Sequence, residues 1–242
     1  MRAKTNRIPV FLITAAGAAA GFLLRRWQLE SAYDEAGLMV SGQASTWVLG
    51  IACALLTVFL IGICRRLEPR CTYLESFSSG KPEMAVSLTA AALLLAGNAL
   101  ALSAAPRGAG LAVSFFGILS ALCMAATAVQ RFRGVVPSAA LHIAPCLYLV
   151  IKLIVDFKRW SVDPAVLDYC YELFAAIAAM CAVYHLGGFC FDKGRRRISA
   201  FWCMACLVFS AVSLADGGLS HGLLIGGLGL WAAVNGWQLF EP

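Results

Sequence analysis

Residues 84–129 read MAVSLTAAALLLAGNALALSAAPRGAGLAVSFFGILSALCMAATAV, forty-six positions with a single charge, Arg107. A hydrocarbon core of ~30 Å takes about 20 apolar residues per helix, and runs of 18 or more with few charges are spans. Ala105-Pro106-Arg107-Gly108 divides this stretch into two such runs, 84–105 and 109–129. A Pro–Gly punctuation of four residues is a helix–helix turn, so the stretch reads as a transmembrane hairpin. Transmembrane strands need alternating segments of roughly ten residues, which are absent here.

Working outward, six further runs satisfy the same rule, at about 8–24, 44–63, 135–157, 165–190, 199–215 and 219–239. The whole chain, 1–242, reads as one all-α integral membrane bundle of about eight transmembrane helices. Composition agrees: 61 % of residues are hydrophobic, 13 % are charged, and mean hydropathy is +0.80. Soluble domains carry about 25 % charged residues, so a water-soluble enzyme is excluded. Nucleic acid is excluded as a partner because the net charge of +6 is spread over short loops and not gathered on one face. The lipid bilayer is the partner that the composition requires.

Loop charge sets the orientation, because cytoplasmic loops carry the excess of Lys and Arg. With eight helices, thirteen cations fall on one side, in loops that include Arg2, Arg65, Arg131 and Arg195. Five fall on the other: Arg25, Arg26, Arg107, Lys158 and Arg159. Both termini are therefore expected in the cytoplasm, with the protein in a plasma membrane. Arg2, Lys4 and Arg7 followed by Ala18-Ala19-Ala20 have the look of a cleaved signal peptide. The charge alternation, which works with this segment kept as a helix, favours its retention.

The outer loop at about 25–43 contains Asp34-Glu35-Ala36-Gly37, the composition of a type I turn. It reads either as a small β-hairpin or as an irregular loop with Trp27 and Trp47 at the interface. The inner loop at about 64–83 reads as a basic, flexible connection. Arg25-Arg26-Trp27 and Lys158-Arg159-Trp160, with Gly62-Ile63-Cys64 and Gly188-Phe189-Cys190, hint at a weak 4+4 tandem repeat.

Ionisable residues inside a span are functional candidates by default, and the fifth and sixth helices hold nearly all of them. Lys152 and Asp156 are four apart on the fifth, and Asp168 and Glu172 four apart on the sixth. At ~1.5 Å per residue, Lys152 and Glu172 lie roughly 8 and 10 Å below the outer ends of their helices. A contact across the hairpin follows. Asp163 and Pro164 suit an N-cap and a first helical position. Lys152, Asp156, Asp168 and Glu172 form a candidate outward-facing vestibule for a small solute or cation. Local pairing, snorkelling and helix-dipole preference are the structural alternative, which leaves only Glu172 without an explanation.

His142 and His185, nearer the inner ends of the same helices, suit a proton relay, a metal site or plain interhelical hydrogen bonds. Asn98 and Gln130 read as interhelical hydrogen-bonding residues. Cys203-Met204-Ala205-Cys206 is a C-x-x-C in the inner half of its helix; packing is its simplest use. Gly17 with Gly21, and Gly222 with Gly226, are small-xxx-small patterns that let helices approach. No catalytic, cofactor or metal-binding motif is present.

The stretch from Asp156 to Gly194 contains Trp160-Ser161-Val162-Asp163-Pro164, then Asp168-Tyr169, then Gly188-Phe189-Cys190-Phe191 before a basic loop. Together with Trp27 to Gly37, it resembles small uncharacterised multi-spanning membrane proteins of clostridia-type Gram-positive bacteria. About a quarter of the chain carries the resemblance. It implies the plasma membrane of a one-membrane cell and no particular activity.

Three functional classes remain open. One is a small-solute or ion transporter, or its membrane-embedded binding subunit. The second is a non-transporting sensor, assembly factor or partner subunit that works through a protein partner or a homo-oligomer. The third is an intramembrane enzyme that depends on Cys203, Cys206, His142 or His185.

Overall fold

A computed structural model describes residues 7–34, 38–40, 42–68, 72–77, 79–104, 108–162 and 166–240. Among them are eight long helices. They are α1 (Arg7–Ser31), α2 (Ala44–Cys64), α3 (Lys81–Ala104), α4 (Ala109–Phe132), α5 (Ala140–Trp160), α6 (Cys170–Gly187), α7 (Arg196–Ser213) and α8 (Leu219–Leu239). A single helical turn, Tyr73–Ser76, precedes α3. The expected all-α helical bundle is what forms.

The helices alternate in direction, and side-chain contacts identify the two ends. At one end Arg25 of α1 meets Asp216 beyond α7, and Lys152 of α5 meets Glu172 of α6. At the other, Arg131 of α4 meets Asn235 of α8, and Phe11 of α1 packs edge-on against Trp237 of α8. These are called the Arg25 end and the Arg131 end below.

Seven of the helices, α1 to α7, are long and apolar enough to cross a membrane. Their outward side chains are apolar as well: Leu12, Leu55, Phe115 and Ile154 are each more than 60 % exposed. In water, apolar surface on this scale would drive association; in lipid it is the favourable surface. The eighth helix has comparable length but carries His221, Asn235 and Gln238. It packs extensively on α3 and α7, with Asn235 and Gln238 each 1 % exposed. A helix that faces other helices can hold polar groups, which pair inside the bundle.

Close approach around α8 depends on glycine, though not on the expected pair. A Cβ on Gly222 would meet nothing within 4 Å, and one on Gly226 would meet only Leu214 at 3.8 Å. A Cβ on Gly227 would lie 3.0 Å from the Ala90 carbonyl oxygen and 2.9 Å from Leu94 Cγ of α3. Gly17 and Gly21 do bring helices together, against Leu56 of α2 and Val212 of α7. Gly227→Val is therefore expected to cost about 1–3 kcal/mol by overpacking, while Gly222→Ala is neutral or slightly stabilising. Thermal unfolding of the two variants in detergent would show it.

Several expected boundaries move. The first helix continues past residue 24 to Ser31, because Arg25 to Ser31 has neither Pro nor Gly and Arg25 finds partners inside the bundle. At the fifth, residues 135–139 lie outside the helix, where Pro137 has no N–H to give a preceding turn. The sixth is α-helical only over Cys170–Gly187, with 3-10 turns at Val166–Tyr169 and Gly188–Phe191. The loop after α1 holds one antiparallel bridge, Tyr33 with Met39, and no strand is formed among the described residues. The Glu35–Gly37 turn, Asp163-Pro164, Ala105–Arg107, Arg2 and Lys4 lie outside the described residues.

The two halves do not pack as a 4+4 repeat would require. The α3–α4 and α7–α8 hairpins are comparable, but α6 packs along α7 whereas α2 shares no comparable face with α3. Nor are the recurring patterns equivalent: Lys158-Arg159-Trp160 closes α5, whereas Arg25-Arg26-Trp27 lies inside α1, a full turn before its end.

Candidate functional site: the polar chain at the Arg25 end

Three of the four residues singled out from sequence meet directly. Lys152 Nζ lies 2.8 Å from Glu172 Oε1 and also pairs with Asp156, its neighbour one turn on. The contact that depth arithmetic places across the α5–α6 hairpin is present. The Lys152 side chain is 8 % exposed, Glu172 13 % and Asp156 20 %. A cation this enclosed is tolerated because two carboxylates surround it; an isolated one would cost several kcal/mol.

Asp168, the fourth, belongs to a second cluster around Arg25. The 3-10 turn before α6 turns the Asp168 carbonyl toward Arg25 Nη2, 3.0 Å away. Its carboxylate accepts a hydrogen bond from the Tyr33 hydroxyl. Arg25 Nε donates to Asp216 Oδ1 at 2.7 Å, and Nη1 donates to Gln28 Oε1 at 2.8 Å. The guanidinium also sits over the Tyr171 ring, 5.3 Å from its centroid. Gln28 in turn donates to Thr46 of α2. Burial, with Asp168 as acceptor and against the pull of Arg25, pushes the Tyr33 phenol up to about 12. Its hydroxyl therefore stays protonated, as a donor to Asp168.

Ser213, His221 and Asp216 join the clusters. His221 Nδ1 faces Glu172 Oε2 at 3.5 Å, and its Nε2 lies 3.0 Å from the Ser213 carbonyl oxygen and 3.2 Å from Ser213 Oγ. Ser213 Oγ donates to Asp216 Oδ2 at 3.2 Å. A continuous polar path thus runs Asp156, Lys152, Glu172, His221, Ser213, Asp216, Arg25, Tyr33, Asp168. It ties together α1, α5, α6, the end of α7 and the start of α8.

Both ring nitrogens of His221 face oxygens. A neutral imidazole has one N–H, so it can serve only one side as donor; the imidazolium serves both. The path holds four carboxylates, Asp156, Asp168, Glu172 and Asp216, against two permanent cations, Lys152 and Arg25. Even a charged His221 leaves the carboxylates in the majority.

No protein-family model, curated protein or solved structure matches the chain. The chain is a multi-pass membrane protein.

Sequence reasoning passed over Arg25, Tyr33, Ser213, Asp216 and His221. By sequence Arg25 falls among the loop cations and Asp216 in a turn. Only the i, i+3 placement of Arg25 and Gln28 on a helix carried past residue 24 signals the site. His221 stands five residues after Asp216, across the Gly217-Gly218 turn, and that spacing alone says little.

At the Arg131 end the arrangement differs. Arg131, 7 % exposed, donates to Tyr73 Oη and Asn235 Oδ1, both at 2.6 Å. It lies 4.3 Å over the Phe77 ring. Its partners here are neutral and aromatic, so Arg131 joins the α4 and α8 ends to the turn before α3.

His142 and His185 both line a cavity of about 970 Å³ between α5 and α6. His142 Nδ1 is 3.8 Å from Cys190 Sγ. No group of three or more His, Cys, Asp or Glu that could hold a metal ion forms among the described residues. Cys203 and Cys206 are fully buried, out of reach of any substrate thiol. Asn98 is buried too, its Nδ2 donating to the Leu94 carbonyl within α3, and its side chain occupies the space a Cβ on Gly117 of α4 would need.

Proposed function

We propose that the protein is a small-solute or ion transporter, or the membrane-embedded binding subunit of one, and that it takes a cation or amine-bearing solute at the Arg25 end. The observation that carries this reading is the excess of carboxylates over permanent cations along one connected path. A site with four carboxylates and two fixed cations has room, electrostatically, for an added positive charge. Asp156 and Asp216, each about one-fifth exposed as His221 is, are carboxylates that an incoming cation could reach. Lys152 and Glu172 lie deeper, where a change of pairing could be passed from α5 and α6 to α8 through His221.

Proteoliposome uptake tests the transport part. Inorganic cations and small amines would be presented to wild type and to Glu172→Gln, which is expected to lose at least tenfold in rate for the solute that is carried.

A second reading has its own support: each cation on the path already has a carboxylate partner. A path satisfied in this way could serve as a clamp in a non-transporting sensor, assembly factor or partner subunit. That reading predicts a stoichiometric partner retained on extraction from lipid, and no functional change in Glu172→Gln.

We further place the Arg131 end in the cytoplasm of a bacterial plasma membrane, as the resemblance to clostridial membrane proteins also implies. Ten described Lys and Arg residues lie in or beside the loops of that end, against four at the Arg25 end, the asymmetry of a positive-inside protein. Single cysteines placed at Arg66 and at Lys158, in a chain otherwise stripped of cysteine, should differ in whole cells. Only the Lys158 position should react with a membrane-impermeant maleimide; labelling of Arg66 instead would invert the topology.

A further inference from the structure

We propose that the α5–α6 cavity at the Arg131 end is a binding site for an anionic phospholipid, with one acyl chain along the groove and the phosphate at Lys193 and Arg195. Ile143, Leu147, Tyr184 and Phe191, which line the cavity, are exposed on the apolar outer surface of the bundle. Beyond His142 and His185 its walls are largely apolar, with Ile143, Leu147, Val150 and Val183 among them, and its cations, Lys193 and Arg195, are confined to the end those histidines are near. This amphipathic division is that of a lipid, and neither a free ion nor a sugar fits it.

Length agrees with this occupant. The cavity follows the chain from Ala139 to Val150 along α5, eleven steps of ~1.5 Å, about 16 Å in all. That is half of a ~30 Å hydrocarbon core, the reach of one leaflet. Depth agrees too, because Lys193 and Arg195 follow α6 and precede α7, at the helix ends where headgroups lie. The opening is made by the α6 terminus itself: Gly187 and Gly188 line the cavity without side chains. A Cβ on Gly187 would sit 3.3 Å from His142 Cβ.

Charge is complementary. Both cations are exposed, and neither is paired with a carboxylate among the described residues. Juxtamembrane Lys and Arg attract anionic headgroups; here two of them stand at the mouth of a groove of acyl length.

The test is thermal unfolding of delipidated protein in neutral detergent, titrated with phosphatidylglycerol or phosphatidylcholine of identical chains. Wild type is expected to be stabilised by phosphatidylglycerol at roughly tenfold lower mole fraction. In Lys193→Gln/Arg195→Gln the preference should fall to within twofold, with the lipid-free melting temperature unchanged because both positions are exposed. Ile143→Trp, which fills the groove from an exposed position, should weaken both lipids. Arg65→Gln/Arg66→Gln, at the same end but away from the groove, should keep the preference.

Equal response of wild type to the two lipids would overturn the proposal. So would stabilisation by inorganic phosphate alone at the level of phosphatidylglycerol, or loss of the preference in the Arg65/Arg66 variant, which would show diffuse attraction only. A dimer of the lipid-free protein that Ile143→Trp dissolves would assign the groove to a second copy of the chain instead.

Discussion

Lys152→Met should destabilise the protein by about 3–5 kcal/mol, the cost of leaving buried charge unpaired when one partner of an ion pair is removed. Lys152 alone stands between Asp156 and Glu172, so its loss sets two carboxylates against each other inside the bundle. At about 2–4 °C per kcal/mol for a chain of this size, the melting temperature in nanodiscs should fall by roughly 10 °C. Lys158→Met, exposed on the same helix, should change it little. Adding Asp156→Asn and Glu172→Gln to Lys152→Met should recover more than half of the loss, since the penalty lies in the uncompensated carboxylates. A Lys152→Met protein as stable as wild type would mean that Lys152 is hydrated and the pairings are incidental.

Arg25→Met is expected to cost a similar about 3–5 kcal/mol, and its neighbour supplies the contrast. Arg25 is 1 % exposed and donates to Asp216, Gln28 and the Asp168 carbonyl. Arg26 is mostly exposed and lies 3.9 Å from Glu30 across one helical turn, a pairing worth a few tenths of a kcal/mol. The same substitution one residue apart should therefore differ about tenfold in its energetic effect. Arg25→Met combined with Lys152→Met tests whether the two clusters are joined through His221 and Ser213. Residues in one network show coupling of about 0.5–3 kcal/mol, whereas two separate clusters would give additive losses. Equal effects at Arg25 and Arg26 would contradict the burial of Arg25.

Helix number and order were legible because lipid imposes a simple rule on composition: about 20 apolar residues in a row. The Lys152–Glu172 contact was legible for a related reason, since a short hairpin and a fixed rise per residue set both depths. Arg25 was not, because the same rule ends a span at the first charges and cannot see a guanidinium that turns inward to meet Asp216. Nor was His221, whose partners come from α6 and from the end of α7, distances that no local spacing encodes. Gly227 escaped for a similar reason: it looks like its neighbours Gly226 and Gly229 until α3 is laid against it. The 4+4 repeat rests on similar basic-aromatic triplets, and these carry no packing information: one closes α5 and the other lies inside α1.

We propose that the polar path at the Arg25 end binds a cation or amine-bearing solute. Thermal stability of wild type and Glu172→Gln in nanodiscs, against a panel of inorganic cations and small amines, tests it most directly. A ligand bound only to the folded state at 100 times its Kd adds about 2.7 kcal/mol, well within the reach of such a measurement. At least one cation should raise the wild-type melting temperature and leave Glu172→Gln unmoved. A panel that moves neither protein, or moves both equally, would contradict it.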